Sequence, residues 1–491
     1  MIRIHPHRLR ALLLAALAAA LLATGVVAVA PSAGAQSDTV YVAPNGNDAN
    51  RGTRSSPKAT IQGAMLALRG GGEIVMRGGS YTISNSSGVV WQGGERGNPL
   101  VIRSAKGERA RLRSTPGNYC VSVAADHVRV KNLECSGWAG IGSYNASHVV
   151  FRGNYVHDIT ADRLQGIIAT GDRPIRNITV RNNRVVRVPH TGIAVGATRA
   201  SAVSDVLIKK NKVRQANYQF RNTSASGGWG SGISAVGADD VLIVRTDVRR
   251  TYGEGYNCAL SNRCRVRRNV GVDAYGTIFY GDNATNSLWE DNVAKTTGDR
   301  RFYRNYGFGG IEAAGYVIAN EAGWFSGPGA PVSGNVFRNN IAINVNIGWR
   351  FGEYGNGSAG MTDTIVANNT FVGTSVCGIR LHSPSTNRGN RVVNNIVVPD
   401  RGKAAFCGGD RGTELRNNLW ARGSVEGGLR AGDVRGMPDF VKGTGLKASS
   451  YKLKSGSRGV NDGRSISLVT DDRNGRSRPS SGRFDIGAFE R

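Results

Sequence analysis

The chain repeats a short pattern in which two apolar residues, two polar residues and an asparagine are followed by further apolar residues. Successive copies are 20 to 35 residues apart. Alternating burial over so few residues predicts a β-strand rather than a helix. A repeat of variable spacing is typical of a solenoid whose loops differ in length while its rungs do not. The asparagine position is occupied by Asn154, Asn183, Asn211, Asn269, Asn292, Asn320, Asn340, Asn369, Asn395 and Asn418, and once by Thr246.

These asparagines have a physical role in such a solenoid. At a tight bend asparagine tolerates a left-handed backbone, and its amide group bonds to neighbouring main chain. Strands of adjacent rungs stack about 4.8 Å apart, so equivalent amides can also bond one another. We therefore predict a structural ladder of asparagines rather than a set of catalytic residues.

A second kind of strand lies between the asparagine positions, and each copy begins with glycine. Both strand types keep the same phase, which predicts an all-β, right-handed parallel β-helix with at least two sheets over residues 127–420. A helical pattern near Thr60 and Leu68 predicts a short capping helix within residues 36–126. Residues 421–491 lose the repeat, so we expect an irregular C-terminal cap. The glycines that begin the second strand are Gly140, Gly166, Gly192, Gly232, Gly255, Gly276, Gly310, Gly348 and Gly378.

The N-terminal segment has the composition of a secretory signal peptide. Its first ten residues are basic, residues 11–30 are almost wholly apolar, and Ala33-Gly34-Ala35 forms a small-residue cleavage site. We expect residues 1–35 to be removed and the protein to be secreted or associated with the cell surface. Retention of the apolar run as a membrane anchor is the alternative.

Six cysteines in an exported chain predict disulfide bonds. The simplest of the 15 pairings that six cysteines allow joins Cys120 to Cys135, Cys258 to Cys264 and Cys377 to Cys407. No CxxC motif occurs and histidines are few, so we expect no structural metal.

The formal net charge of the 491-residue chain is +28. A surface of this sign favours anionic partners such as acidic polysaccharides or other polymers of the cell envelope. The positive residues are spread over all rungs and form no recognisable nucleic-acid-binding motif. We expect an acidic polymer as partner of a monomeric protein, and not a nucleic acid.

Both ends of the mature chain resemble a known group of proteins. The stretches YVAPNGNDANRG, after residue 40, and DRNGRSRPSSGRFDIGAFE, near the C-terminus, resemble secreted bacterial β-helix proteins of the pectate-lyase-like superfamily. The resemblance covers about a quarter of the chain directly and implies the fold more strongly than an activity. In related lyases a lysine lies on a mid-helix strand and aspartates on the next turns bind calcium. The corresponding stretch here has no lysine and only Asp273 and Asp282, so those residues do not carry over, and Ca²⁺ is only a candidate cofactor.

The glycine-headed strands predict where a site would lie. Residues one and three positions after the glycine are mostly apolar and should face inward, so those at two and four positions should face solvent. In the second half of the chain the outward residues are Asn257, Tyr280, Glu312, Arg350, Arg380 and His382. Arg350 and Arg380 should occupy adjacent rungs. We expect Glu312 about two rungs before Arg350, with a weaker rung near Gly323 between them.

These residues suit a polysaccharide lyase, which cleaves uronic-acid chains by β-elimination. Arg350 and Arg380 would neutralise the substrate carboxylate, and His382, Tyr280 or Tyr303 would be the base. Further substrate-binding candidates are Asn257 and Glu353 and, in an insertion of basic and aromatic residues, Arg301, Tyr303, Arg304 and Tyr306.

Three alternatives remain open. A glycoside hydrolase would pair Glu312 with Glu353, Glu254 or Asp273. A binding protein of the cell wall or cell surface would use the same basic wall without turnover. The wall can also be an ordinary solvated surface.

Overall fold

The protein is a solenoid of parallel strands, described here from a computed structural model. The structure describes residues 38–68, 70–196, 203–222, 229–303, 313–321, 332–354, 359–382, 384, 386–480 and 482–491. Each rung contributes one strand to each of three sheets, and every pairing between rungs is parallel. Parallel crossover connections of this kind are right-handed in nearly all proteins. The predicted parallel β-helix is therefore confirmed.

The first sheet holds the strand that precedes each asparagine. Its fourteen strands are Thr39–Val42, Gly72–Met76, Leu100–Ser104, Val128–Lys131, Val150–Arg152, Ile175–Arg181, Val203–Lys209, Ala238–Val244, Asn262–Arg267, Leu288–Glu290, Val336–Arg338, Ile365–Ala367, Asn390–Val393 and Thr413–Arg416. Their alternate apolar residues point into the solenoid, as Val180, Ile208, Ile243 and Val266 do on four successive rungs.

The second sheet holds the strand that follows each asparagine. It consists of Gly79–Ile83, Ala110–Val123, Glu134–Tyr144, Tyr155–Ile159, Arg184–Val186, Lys212–Arg214, Asp247–Thr251, Val270–Ala274, Val293–Lys295, Ile341–Ile343, Thr370–Thr374, Ile396–Pro399, Leu419–Trp420 and Val434–Arg435. Two of these strands, Ala110–Val123 and Glu134–Tyr144, are long enough to continue into the third sheet.

The third sheet holds the glycine-headed strands. Its other members are Val89–Val90, Ile167–Thr170, Ile193–Gly196, Ser231–Val236, Glu254–Ala259, Thr277–Asp282, Ala314–Glu321, Ile347–Tyr354, Cys377–Arg380 and Ala404–Cys407. A separate pair of short strands joins Val332–Ser333 to Met361–Thr362.

The asparagine ladder is present and buried. The Nδ2 group of Asn154 donates to Oδ1 of Asn183 at 3.1 Å, and that of Asn183 donates to Oδ1 of Asn211 at 3.0 Å. After Thr246 the ladder resumes at Asn269 and runs to Asn418, where the backbone N–H donates to a carboxylate oxygen of Asp433. The members of the resumed ladder are Asn269, Asn292, Asn340, Asn369, Asn395 and Asn418.

Asn320 does not belong to this ladder, so that prediction is wrong. The ladder passes directly from Asn292 to Asn340, 48 residues further on. Asn320 instead lies in the third-sheet strand Ala314–Glu321, in register with Glu353, and its amide donates to the carbonyl of Gly360. Its sequence resembles the repeat because both strand types alternate apolar and polar residues. Gly310, which we expected to begin this rung, lies outside the described residues.

Aromatic residues stack on one another inside the solenoid. The rings of Tyr256, Phe279 and Tyr316 stack across three consecutive rungs, with centroids 4.6 and 5.1 Å apart. Trp289 and Phe337 stack in the same way at 4.5 Å. Because parallel strands place equivalent side chains above one another, flat rings pack face to face at nearly the strand spacing.

Both ends of the solenoid carry irregular segments. The predicted N-terminal helix is Ile61–Leu66, and Thr60 caps it by accepting a hydrogen bond from the N–H of Gly63. A second α-helix, Arg300–Tyr303, and two 3₁₀-helices, Tyr218–Asn222 and Ala448–Tyr451, lie outside the rungs. No helix among the described residues is long and apolar enough to cross a membrane.

The C-terminal segment packs on the flank of the last rungs. Its apolar residues Phe440, Tyr451, Ile486 and Phe489 form a cluster with outward residues of the second sheet, such as Ile343. Within the segment, Arg478 and Glu490 form a fully buried ion pair of 2.7 Å.

The three predicted disulfides are formed. Cys120 is bonded to Cys135, Cys258 to Cys264 and Cys377 to Cys407. Cys258 and Cys264 point into the core from different sheets, so their bond crosses the interior.

Candidate functional site

The outward residues of the third sheet form one row along the solenoid, here called the outer row. Asn257 is in register with Tyr280, Tyr280 with Val317, Val317 with Arg350, and Arg350 with Arg380. The predicted adjacency of Arg350 and Arg380 is therefore confirmed. The prediction of an intervening rung near Gly323 is wrong, because the rung before Arg350 is Ala314–Glu321 and it supplies Val317.

Burial varies along the outer row. Arg380 and His382 are exposed, and the Arg350 side chain is half-buried and lies over Gly352. Tyr280 is only 5% exposed and Val317 only 1%. The expectation that the whole row faces solvent is therefore wrong in its middle, where a second apolar cluster forms outside the solenoid. This cluster contains Tyr280, Ala314, Val317, Ala319, Ile347 and Cys377.

A buried carboxyl group lies at the N-terminal end of the outer row. The Oε2 atom of Glu254 accepts hydrogen bonds from Asn257 Nδ2 at 2.6 Å and from Ser231 Oγ at 2.9 Å. Its Oε1 atom accepts one from Trp229 Nε1 at 3.0 Å. Burial raises the pKa of Glu254 to about 8, against the hydrogen bond from Ser231, and the charge of Glu321 adds to this rise.

Two further carboxyl groups lie near Glu254. The hydroxyl of Tyr280 donates a hydrogen bond to Glu321 Oε1. Asp282, two residues after Tyr280 on the same outward face, is 1% exposed. Burial raises the pKa of Asp282 well above its ordinary value, and the charges of Glu321 and Glu254 raise it further. Three carboxyl groups and a tyrosine hydroxyl thus share one covered region of the sheet.

The amide of Asn257 is only partly satisfied. Its Nδ2 bonds to Glu254, but its Oδ1 atom is buried and has no hydrogen-bond partner in the described part of the chain. A buried acceptor without a partner is costly. This atom is therefore suited to accept a hydrogen bond, either from a protonated Glu254 after rotation of the amide or from a bound ligand.

The other predicted site residues are less close to this region. Arg301 is exposed, whereas Tyr303 is 5% exposed and its hydroxyl donates to Asp273 Oδ1 at 3.4 Å. Placed in this way, the ring of Tyr303 is covered and does not offer a face to a sugar. Arg304, Tyr306 and Glu312 lie outside the described residues, and of Glu353 only the backbone is described.

Sequence reasoning missed Glu321 and underrated Glu254. Glu321 was hidden because Asn320, the residue before it, fits the ladder pattern. Reading Gly315 as the glycine at the head of this strand would have placed Glu321 on the outward face. Glu254 was considered only as an alternative partner of Glu312.

The carboxyl groups do not form a metal site in the described part of the chain. No three of its histidine, cysteine, aspartate or glutamate residues come together in a way that would hold a metal ion. A calcium ion needs several oxygen ligands at once, and these carboxyl groups do not supply such a set in the described part of the chain.

Comparison with known proteins agrees with the fold. No protein-family model matches the chain. Pectate lyase L of Dickeya dadantii (strain 3937) is 23% identical over 344 residues, which are 62% of this chain and 71% of that protein.

Two solved structures superpose on most of the chain. The complex of XylC with xylose has a TM-score of 0.54 at 12% identity and covers 92% of this chain and 98% of that one. The PL6 family alginate lyase AlyGC has a TM-score of 0.51 at 16% identity, covering 85% of this chain and 58% of that one. These likenesses agree with the parallel β-helix fold of the chain.

Proposed function

We propose that the protein binds a uronic-acid polysaccharide along the outer row and cleaves it by β-elimination. The observation that carries the proposal is the hydrogen bond from Tyr280 to Glu321, two rungs from Arg350 in the same row. Two rungs correspond to about 10 Å between backbones, a distance that one sugar spans. Tyr280 is only 5% exposed, so the sugar must reach its hydroxyl past the apolar cluster that covers it.

The reaction needs a base next to a cation. Arg350 and Arg380 occupy adjacent rungs and together can neutralise the substrate carboxylate, which makes the proton on the neighbouring carbon more acidic. Tyr280 passes its hydroxyl proton to Glu321 and takes the substrate proton in its place. The electrons of the broken C–H bond form the C=C bond and expel the glycosidic oxygen, which takes the proton held by Glu321.

The buried acids support this assignment through their charge. A neutral Glu254 and a neutral Asp282 do not repel a polyanionic substrate, although they lie beside the outer row. The raised pKa values of both carboxyl groups have this effect at neutral pH. The free Oδ1 of Asn257 can accept a hydrogen bond from a sugar hydroxyl.

Hydrolysis is the second candidate, and one observation favours it. Glu254 is protonated at neutral pH, and the charge of Glu321 acts on it, so an acid and a carboxylate lie near one another. Glycoside hydrolases use such a pair as proton donor and as base or nucleophile.

To test the proposal, the protein is incubated with pectate, alginate or glycosaminoglycans, with and without a calcium chelator, and the products are measured. Elimination yields unsaturated uronates that absorb in the ultraviolet, and hydrolysis yields new reducing ends without that absorbance. A binding protein retains the polymer unchanged. We expect ultraviolet-absorbing product that persists in chelator.

Variants then test the residues. Tyr280→Phe is expected to lower kcat by about 100-fold or more, in line with loss of general base catalysis. The double change Arg350→Gln with Arg380→Gln should mainly raise KM. The matched controls are Tyr41→Phe, on the first sheet, and Arg51→Gln with Arg401→Gln, at exposed positions. If Tyr280→Phe keeps full activity, Tyr280 is not the base.

A further inference from the structure

A line of positive side chains runs along the outside of the first sheet, on a different face from the outer row. Five consecutive rungs place a basic residue at the same register position, here called the basic stripe. Four steps of about 4.8 Å give it a length of about 19 Å. The members of the basic stripe are Arg103, Lys131, Arg152, Arg181 and Lys209.

Acidic neighbours do not neutralise most of the basic stripe. Arg103 forms an ion pair with Glu73 at 2.6 Å. Lys131, Arg152, Arg181 and Lys209 have no carboxylate partner among the described residues, and the Nε atom of Arg181 is buried without a hydrogen-bond partner. Burial lowers the pKa of Lys131, and the positive charges of Arg129, Arg103 and Arg152 lower it further, although Glu73 opposes this. Lys131 is thus partly compensated by Glu73, whereas the like charges of Arg152, Arg181 and Lys209 remain stacked without a carboxylate partner among the described residues.

Further along the solenoid, the basic residues at the same register position form ion pairs. After Val244 the next basic residue, Arg267, pairs with Glu290 at 2.9 Å. Glu290 lies on the rung after Arg267, and Arg338, one rung further on, pairs with the same carboxylate at 2.6 Å. These two arginines of the C-terminal half are thus paired with a carboxylate, whereas Lys131, Arg152, Arg181 and Lys209 of the basic stripe have no such partner among the described residues.

We infer that the basic stripe binds a linear acidic polysaccharide that lies along the axis of the solenoid. Like charges stacked at strand spacing repel one another, and a polyanion with regularly spaced negative groups removes that repulsion. The binding does not depend on turnover at the outer row, which faces away on the third sheet.

The surroundings of the basic stripe favour a polysaccharide over a nucleic acid. The neighbouring outward position, two residues earlier on each rung, carries Val101, Arg129, Val150, Thr179 and Leu207. None of these offers a ring on which bases could stack, and proteins that bind single strands rely on such rings. The stripe is also a single line of charges rather than a groove wide enough for a duplex.

The test compares affinities for immobilised polygalacturonate over a series of NaCl concentrations, at a temperature low enough to prevent turnover. The stripe variant changes Lys131, Arg152, Arg181 and Lys209 to glutamine. The control variant removes the same number of charges elsewhere, at the exposed residues Arg51, Lys106, Arg401 and Lys442.

We expect the stripe variant to bind at least about tenfold more weakly than the control variant, with a shallower dependence on salt. A charge-retaining variant, Arg152→Lys with Arg181→Lys, should bind like the wild type. If the stripe variant does not fold, the single changes Arg152→Gln and Lys209→Gln, each expected to weaken binding about twofold, replace it.

Two results would overturn the inference. One is equal affinity of the stripe and control variants for polygalacturonate. The other is a wild-type protein that prefers single-stranded DNA to polygalacturonate at the same salt concentration. Failure of the lyase proposal alone has a different signature, since the wild type would then yield no ultraviolet-absorbing product while the basic stripe still bound polymer.

Discussion

Replacement of Glu254 by glutamine should change how the stability of the protein depends on pH. The Glu254 carboxyl is buried and contacts Trp229, Ser231 and Asn257. Burial raises its pKa from 4.5 to about 8. Glutamine has nearly the same shape, and its single oxygen can accept the hydrogen bonds from Ser231 and Asn257, whereas its NH2 group then faces the Trp229 N–H and cannot accept from it. Glutamine does not titrate. The variant therefore removes the ionisation and keeps most of the packing.

The sign of the pH effect on stability follows from the direction in which the pKa of Glu254 is shifted. The folded protein holds a proton on Glu254 up to about pH 8, whereas the unfolded chain releases it near pH 4.5. The contribution of the shift to stability is fully present below pH 4.5 and is lost as the pH rises through about 8. Each pH unit in this window costs about 1.4 kcal/mol. Between pH 5 and pH 8 the wild type should lose about 4 kcal/mol more unfolding free energy than Glu254→Gln.

Urea denaturation of both proteins at several pH values between 5 and 8 measures this difference. The charge of Glu254 also raises the pKa of Asp282, so the difference between the two proteins measures Glu254 together with its coupling to Asp282. Glu95→Gln, at an exposed carboxylate, is the control and should follow the wild type. Parallel curves for wild type and Glu254→Gln would refute a neutral, buried Glu254, and with it the account of the charge at the outer row.

Other predictions concern binding and stability. Above about pH 8 the wild type should bind polygalacturonate less well because Glu254 ionises, and Glu254→Gln should not show this loss. Asn340→Ala should lower the unfolding free energy by about 2–4 kcal/mol, since it removes the hydrogen bonds that the Asn340 amide makes with the carbonyl of Trp289 and with the backbone N–H and Nδ2 of Asn292. The exposed Asn474→Ala should change it by less than about 0.5 kcal/mol in the same urea titration, and equal effects would contradict a ladder that stabilises the fold. Glu490→Gln should cost about 3–5 kcal/mol, because Arg478 is then buried without its counter-charge; a loss below about 1 kcal/mol would contradict this.

The repeat in the sequence was sufficient to predict the rungs, their parallel stacking and the place of the asparagines. Strand alternation also placed Arg350 beside Arg380, because in a parallel sheet residues at equal distances from a repeated landmark become neighbours. These predictions depend only on local spacing, which the sequence contains in full.

The site was harder to predict because it depends on contacts between distant segments. Glu254 has a pKa raised by burial, and it accepts a hydrogen bond from Trp229, 25 residues earlier, which acts against that rise. Tyr280 reaches Glu321, 41 residues later. Alternation assigns Tyr280 to the outward face and Glu254 to the inward one, but it does not tell whether an outward side chain is covered. Asn320 shows the same limit, since only its pairing with Glu353 separates it from the ladder.

The asparagine ladder also gives the solenoid an electrical direction. Each amide accepts through Oδ1 from the rung before it and donates through Nδ2 to the rung after it, so the side-chain dipoles from Asn269 to Asn418 point the same way. Their positive ends are directed towards the C-terminal rungs, where the carboxylate of Asp433 takes the place of a further asparagine. A negative charge at that end offsets the summed dipole, as an acidic residue does at the first turn of an α-helix. The column of amides is thus terminated electrostatically as well as by hydrogen bonding.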